Sequence, residues 1–387
     1  MPPLSLRVVH TTRQKLVVYR SHLGEDFMPE EVDIGIPDAR YAYVPGAKVE
    51  KITRESWLRS AFPEWGTYLN KQIERTVVKP KTFVMWWFGA CGYFIKTPKA
   101  SIIVDQYSGP SLYTTLVDGC GVCRQSGAER IDWLRLNPHV IDPFAIKECD
   151  AILSTHFHPD HCDPYTITPL AENTDAKFIG PKRCCDKFRD FGVPNNRIVQ
   201  VKWNDTVKIN DTEIVATETA DRTLLFSGKD LPKTLEEGSV CYLVKTPAGS
   251  IFHNGDSHYS NLFYKIGVEH TVDVACLNFG GNPPGVTDKM TSFDCFRVAE
   301  ALRAKVLIPM HYENWANMQG DPYELEWIVK NNAPWMKTVI LQWGSKFEYP
   351  TDQDIGRYKY PKYVDRWRPK YSWEYGDQRR IITSVEE

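Results

Sequence analysis

The chain has 387 residues, with 47 Lys and Arg against 49 Asp and Glu and a formal net charge of -2. An apolar share of 42% with 12% aromatics argues against a disordered chain and for a large buried core. The near-neutral balance lacks the basic footprint of a nucleic-acid or anionic-membrane binder. Residues 1–20 are broken by Pro, Arg, His and Lys before an apolar stretch can form, and no run of roughly 18 apolar residues follows. Neither a signal peptide nor a membrane span is therefore expected. The ten cysteines read as reduced thiols, and the expected compartment is the cytoplasm.

Residues 1–50 form an N-terminal extension in which 4–9 and 15–19 make a short hairpin. In residues 51–350, Thr53 opens a short capped helix, and Trp65, Tyr68, Leu69 and Ile73 recur at helical spacing. The chain then turns to β, with strands predicted at 83–88, 92–95 and 102–105. Segment 108–127 has no clear period and reads as a loop near a site. Strands follow at 151–154, 178–180, 198–201, 207–209, 213–217, 241–245, 250–253, 272–277, 306–309 and 339–342. The clearest helix starts from a Thr291/Ser292 cap and runs through Phe293, Phe296, Val298, Ala299 and Leu302. Strands and helices alternate in both halves, so helices are expected outside β-sheets, and 351–387 form a charged, Tyr-rich tail.

The strongest chemical signal is His156-x-His158-x-Asp160-His161, directly after the apolar strand at 151–154. On an irregular turn these side chains can point into one pocket, and neutral imidazole with carboxylate suits zinc, manganese or iron. Neighbouring residues alone cannot complete two metal shells. Asp256 and His311, each just beyond an apolar strand, fit as further ligands. Cys120-Gly121-Val122-Cys123 has zinc-knuckle spacing but no second pair to match it; Cys184-Cys185 and Cys162 read as core or pocket-lining thiols.

The His-x-His-x-Asp-His turn, Gly255-Asp256 and the strand-ending His311 resemble the metallo-β-lactamase superfamily. That resemblance implies an α/β fold, the four-layer αβ/βα sandwich, with a binuclear centre between its sheets. Further blocks resemble the L-ascorbate-6-phosphate lactonase family: Thr53-Arg54-Glu55-Ser56-Trp57, Met85-Trp86-Trp87, Asp142-Pro143-Phe144-Ala145-Ile146, Gly255-Asp256-Ser257-His258-Tyr259 and Thr287-Asp288-Lys289-Met290-Thr291. The likeness spans roughly residues 51–350. It implies His156, His158, Asp160, His161, Asp256 and His311 as ligands for one or two divalent ions, Mn2+ or Zn2+. The superfamily usually places another His before the Gly-Asp, and none lies between His161 and His253 here. Asp221 stands about where it belongs, either as a carboxylate ligand or as a capping residue paired with Arg222.

The implied reaction is hydrolysis of a phosphorylated sugar lactone, L-ascorbate 6-phosphate to 3-keto-L-gulonate 6-phosphate, by metal-bound hydroxide attacking the ring carbonyl. Asp160 or His258 would protonate the leaving oxygen, with Asp256 at the centre; His258 could instead orient Asp256. Arg222, Lys289 and Lys182 are candidates for the phosphate clamp. Two departures bear on substrate: Pro284 stands where a basic residue is expected, and segment 106–139 diverges. A phosphodiesterase (phospholipase D-like or nuclease) on the same fold and a non-catalytic metal-binding scaffold are the competing readings. The low net charge weighs against a nuclease. No nucleic-acid or membrane partner is expected, and the resemblance implies a homo-oligomer.

Overall fold

The computed structural model describes residues 52–109 except 59, 60 and 62, then 135–221, 232–282 and 289–353 except 317, and the backbone of three short N-terminal strands. Those three, β1 (Arg7–His10), β2 (Leu16–Tyr19) and β3 (Glu30–Val32), pair antiparallel, and β1–β2 is the expected hairpin. After α1 (Arg54–Leu58) and α2 (Tyr68–Arg75) come β4 (Phe83–Gly89), β5 (Gly92–Lys96), β6 (Ser101–Val104) and β7 (Ala151–Leu153). Then follow α3 (Pro164–Asn173), β8 (Lys177–Gly180), α4 (Lys182–Asp190) and β9 (Ile198–Gln200).

The second half carries β10 (Thr206–Ile209), β11 (Thr212–Thr217), α5 (Leu235–Gly238), β12 (Cys241–Thr246) and β13 (Gly249–His253). It continues with α6 (Leu262–Glu269), β14 (Val274–Asn278), α7 (Ser292–Ala301), β15 (Val306–Met310), α8 (Pro322–Asn332) and β16 (Lys337–Thr338). The last strand is β17 (Lys346–Tyr349). Two seven-stranded sheets result, ordered β17-β4-β5-β6-β7-β8-β9 and β10-β11-β12-β13-β14-β15-β16. Each begins with antiparallel neighbours and ends with parallel ones, and helices link β7 to β9 and β13 to β16.

Strand periodicity explains the layers. In β4, Phe83, Met85 and Trp87 face the core between the sheets, where they meet Ile214, Tyr242, Val274 and Ile308. Val84, Trp86 and Phe88 face outward onto Leu69 and Ile73 of α2 and Ile167 and Leu170 of α3. The far side of the other sheet does the same, with Leu243, Phe252 and Ala275 packed on Phe263, Phe296, Val298 and Leu325 of α6 to α8. Both sheets are thus covered on both faces, giving the expected four-layer α/β sandwich. Each fully buried large apolar side chain contributes about 1.5–3 kcal/mol to it.

Helix α7 starts where its cap predicts: Thr291 Oγ1 accepts from the Asp294 backbone N–H. Two strand expectations shift. The strand anticipated at 339–342 is β16, two residues earlier, although Val339 N–H still bonds the Leu307 carbonyl. Strand β17 crosses back to pair with β4 of the first sheet, a partnership no local pattern encodes.

Several blocks that resemble the lactonase family act as braces. Arg54 Nε donates to Asp142 Oδ2 at 2.8 Å, Asn70 Nδ2 to the Asp142 carbonyl at 2.8 Å, and Trp57 Nε1 to the Ser108 carbonyl at 2.7 Å. They tie α1 and α2 to Ser108, just beyond β6, and to Asp142, shortly before β7.

Candidate metal centre

The C-terminal ends of β6, β7, β13, β14 and β15 deliver polar residues to one edge of the sandwich: Asp105, His156, Asp256, Asn278 and His311 respectively. Positive φ occurs there at Ala90, Asp105, Gly255 and His311. Strain of this kind persists only where surrounding bonds over-determine the chain. At Asp105 they do: Oδ1 accepts Thr155 N–H at 2.7 Å, and Oδ2 accepts Thr155 Oγ1–H at 2.6 Å and His161 Nδ1–H at 2.8 Å.

These bonds set imidazole tautomers. With its proton on Nδ1 facing Asp105, His161 presents a bare Nε2 lone pair, and that buried atom makes no hydrogen bond. Thr155 Oγ1, whose proton goes to Asp105, is left to accept from His156 Nδ1 at 3.1 Å, so His156 also turns Nε2 inward. That atom lies 2.9 Å from His158 Nδ1. A tetrahedral zinc with bonds of about 2.0–2.1 Å separates two nitrogens by roughly 3.3 Å, so a small opening of this pair accommodates an ion.

Asp256 joins two donor groups. One is His156, His158 and Asp256; the other is Cys91, His161, Asp256 and His311, and within each group the donor atoms lie within 4.8 Å of one another. Asp256 Oδ2 is 3.3 Å from His161 Nε2 and 3.9 Å from His156 Nε2, while Oδ1 is 3.4 Å from His311 Nε2. Neither ring nitrogen of His311 makes a hydrogen bond, though both are buried. Asp160 stands at the rim, its Oδ2 3.3 Å from His311 Nε2 and 3.7 Å from His161 Nε2. Orphaned, buried nitrogens beside carboxylates fit a divalent cation, and the fold itself implies one.

For Asp256, Asp160 and His156 the electrostatics agree. Burial opposes ionisation of Asp256, yet Lys289, His161 and His311 outweigh it and hold its carboxyl well below the usual range. Asp160 is likewise held down against burial by His161 and His311. Burial and the neighbouring His161 and His158 push His156 well below its ordinary value, which keeps it in the neutral form a ligand needs. His161 goes the other way: Asp256, Asp160 and Asp105 overcome its burial and favour the imidazolium, so a cation at Nε2 would have to displace that proton.

The remaining expected residues lie as follows. Asp221 is fully buried but belongs to neither donor group; its loop bonds the 257–258 turn, where Ala220 N–H donates to Ser257 Oγ at 2.8 Å and His258 N–H to the Ala220 carbonyl at 3.3 Å. His258 is buried in that same turn. Lys289 is enclosed, its Nζ 3.1 Å from Asp256 Oδ1, so its charge serves the centre. Lys182 is exposed on α4 and pairs with Asp186 at 3.0 Å. Arg222, Pro284, Cys120 and Cys123 lie outside the described residues. Cys162 turns away from the centre into the core under α3 and α4, together with Cys184 and Cys185.

Two site residues escape the sequence reading. Asp105 carries the signal that singles out Asp256 and His311, a polar residue just past an apolar strand, and was legible by that rule. Cys91 gives no such signal; its Sγ lies within 4.8 Å of donor atoms of His161, Asp256 and His311. Near it, the side-chain amides of Asn137 and Asn314 are buried without a hydrogen bond, and a Cβ at Gly89 would collide with Asn137.

Comparison with known proteins agrees with this geometry. A family described as Beta-lactamase superfamily domain matches residues 85–311. The chain is 43% identical over 338 residues to the probable L-ascorbate-6-phosphate lactonase UlaG of Shigella flexneri, covering 82% of this chain and 96% of that protein. It has the same identity and coverage with UlaG of Escherichia coli O157:H7. Among solved structures, the fold matches an isothiocyanate hydrolase from Delia radicum gut bacteria at TM-score 0.52 and 17% identity, over 68% of this chain and 98% of that one. It also matches Igni18, a metallo hydrolase of Ignicoccus hospitalis, at TM-score 0.50 and 17% identity, over 69% and 98%. A shared-edge cluster of histidines and carboxylates on this fold, with that degree of identity, places the chain in the metallo-β-lactamase superfamily, in the family of the L-ascorbate-6-phosphate lactonases, as a metal-dependent hydrolase.

Proposed function

We propose that the protein opens a phosphorylated sugar-type lactone, L-ascorbate 6-phosphate to 3-keto-L-gulonate 6-phosphate. The observation that carries this reading is Asp256 shared between two groups of buried donors at one sheet edge. His156, His158 and Asp256 would hold one divalent ion, and Asp160, His161, Asp256 and His311 a second. Such ions polarise an ester carbonyl and lower the pKa of water to about 7.

The chain's own residues supply the rest. Asp105 and Thr155 lock the imidazoles in the ligating tautomer. Lys289, enclosed beside Asp256, places a fixed positive charge where negative charge develops on the ring oxygen. Asp160, ionised at the rim, takes the proton that the attacking water gives up and returns it to the departing ring oxygen. Arg222 directly follows buried Asp221, which makes it the better candidate for the phosphate than Lys182, already paired with Asp186. We assign Asp221 to the loop scaffold, as it stands outside both donor groups.

The test is hydrolysis of L-ascorbate 6-phosphate by protein reconstituted with Mn2+ or Zn2+, beside a non-phosphorylated lactone and bis-p-nitrophenyl phosphate, with His158→Ala as control. Turnover of the phosphorylated lactone, lost in the control, is expected. Turnover of the phosphodiester alone sinks the lactonase reading in favour of a phosphodiesterase, and no metal-dependent turnover of any of the three favours a scaffold.

A further inference from the structure

We propose that the outer face of α8, centred on Trp327 and flanked by Phe293 of α7, joins two copies of this chain about a twofold axis. The expected homo-oligomer does not by itself name the surface that joins its copies, and this inference stands apart from the metal centre.

Helix α8 is apolar on two sides. Its inner side packs Leu325, Ile328 and Val329 into the core on the far side of the second sheet. A surface helix normally turns charged and polar residues to water on the side opposite its core stripe. Here that side presents Tyr323 and Trp327, one turn apart and 50% and 65% exposed. Phe293, in the first turn of α7 and 54% exposed, belongs to the same patch. Ser292 Oγ donates to Glu324 Oε2 at 2.5 Å and holds the two helix N-termini together. The other half of the sandwich gives the contrast. Helices α3 and α4 leave no large apolar residue exposed, and α4 shows Lys182, Asp186 and Arg189 to water. Six of the ten exposed large apolar residues among those described fall instead on or just after α6 to α8.

An aromatic side chain buries about 150–250 Å2, so three that are half exposed leave roughly 250–400 Å2 of apolar surface in water. Patches of that size mark interaction sites. Pairing hides the patch twice, and a polar rim supplies the rest of the roughly 1,200 Å2 that a specific interface needs. Aromatic anchors inside a charged rim are the usual composition of such a contact.

The order of charges along α8 identifies the occupant. Glu324 and Glu326 lie in its first half and Lys330 in its second. At about 3.6 residues per turn, Tyr323, Glu326 and Lys330 fall on one side of Trp327. Set antiparallel about a twofold beside Trp327, one copy's Lys330 therefore comes opposite the partner's Tyr323 and the partner's Glu326, and symmetry repeats the contact. Each cation meets a carboxylate and a ring face instead of another cation. The face is thus complementary to itself.

Sedimentation equilibrium of the full-length protein at micromolar concentration tests this. Trp327→Glu should halve the native mass while leaving the far-ultraviolet circular dichroism unchanged, since the side chain it replaces is exposed. Lys330→Glu, also at an exposed position, should weaken association by about tenfold or more, and Glu326→Lys/Lys330→Glu should restore it by swapping the pair. A native protein that sediments as a single chain overturns the inference. So does a Trp327→Glu protein of native mass, which places the contact elsewhere. A double variant no better than Lys330→Glu overturns the antiparallel pairing. If removal of 351–387 turns a single chain into a pair, the chain's own tail covers the face, and the inference fails.

Discussion

Asp105 offers the sharpest perturbation of the site, because a single isosteric change reverses a tautomer. In Asp105→Asn the amide oxygen can still accept Thr155 N–H, but an NH2 group replaces Oδ2 in front of His161 Nδ1. Nδ1 must then accept, which sends the ring proton to Nε2, the atom facing Asp256 and Asp160. The backbone is not a confounder: Asp105 has φ 44°, and Asn tolerates that region as well as Asp does. A hydrogen bond to a charged group is worth about 1.5–3 kcal/mol, and loss of a ligand's outer partner typically costs 10–100-fold in metal affinity, about 1.4–2.7 kcal/mol. The two scales agree, so a 10–100-fold weaker Zn2+ affinity is expected, measured by competition with a chromophoric chelator. Nitrogen NMR of His161 should show the proton moved from Nδ1 to Nε2. An unchanged affinity would refute the tautomer argument, and an unchanged tautomer with weaker binding would show that Asp105 acts by charge instead.

Gly255→Ala tests the tight turn before Asp256. The position has φ 54°, and a Cβ there would lie 2.6 Å from Thr155 Oγ1, the hydroxyl that links Asp105 to His156. A loss of about 2–5 kcal/mol in unfolding free energy is expected by urea denaturation, together with weaker metal binding; a variant as stable as the native protein would contradict the packing described. Asp273 joins the sheets away from the site, accepting Ser250 N–H at 2.8 Å, Lys305 Nζ at 2.6 Å and Tyr349 OH at 3.1 Å. Its partners outweigh burial and lower its pKa, so its stabilisation is present above the ordinary carboxyl value of about 3.9 and is lost as pH falls through the lowered folded value. Asp273→Asn should therefore cost about 1–2 kcal/mol near neutral pH, discounted for the exposure of Lys305, and progressively less below about pH 4. A gap that does not change with pH would show that the charge contributes nothing.

Local patterning carried much of this protein into the sequence. The alternation in β4, the Thr291 cap of α7 and the strand-end position of the histidine motif depend on residues close in the chain, so they are legible without a fold. Asp256 and His311 were legible for the same reason, since each ends an apolar run that can only be a buried strand. What needed tertiary structure is whatever depends on two distant segments meeting. Strand β17 pairs with β4 across the whole domain, and nothing in the sequence of either names the other. Lys289 reads as a surface cation or a phosphate clamp until the fold encloses it beside Asp256. Asp221 stands at the right place along the chain, yet it is buried without belonging to either donor group. Cys91 is one apolar-looking residue in a hydrophobic hairpin until hydrogen bonds with Glu313 and His311 clamp its turn. The sequence alone therefore determined the donor types and the strands that bear them. Which donors converge, and with what tautomer and neighbouring charge, was decided by the packing of two sheets face to face, because lone-pair direction is a property of the contacts around a residue.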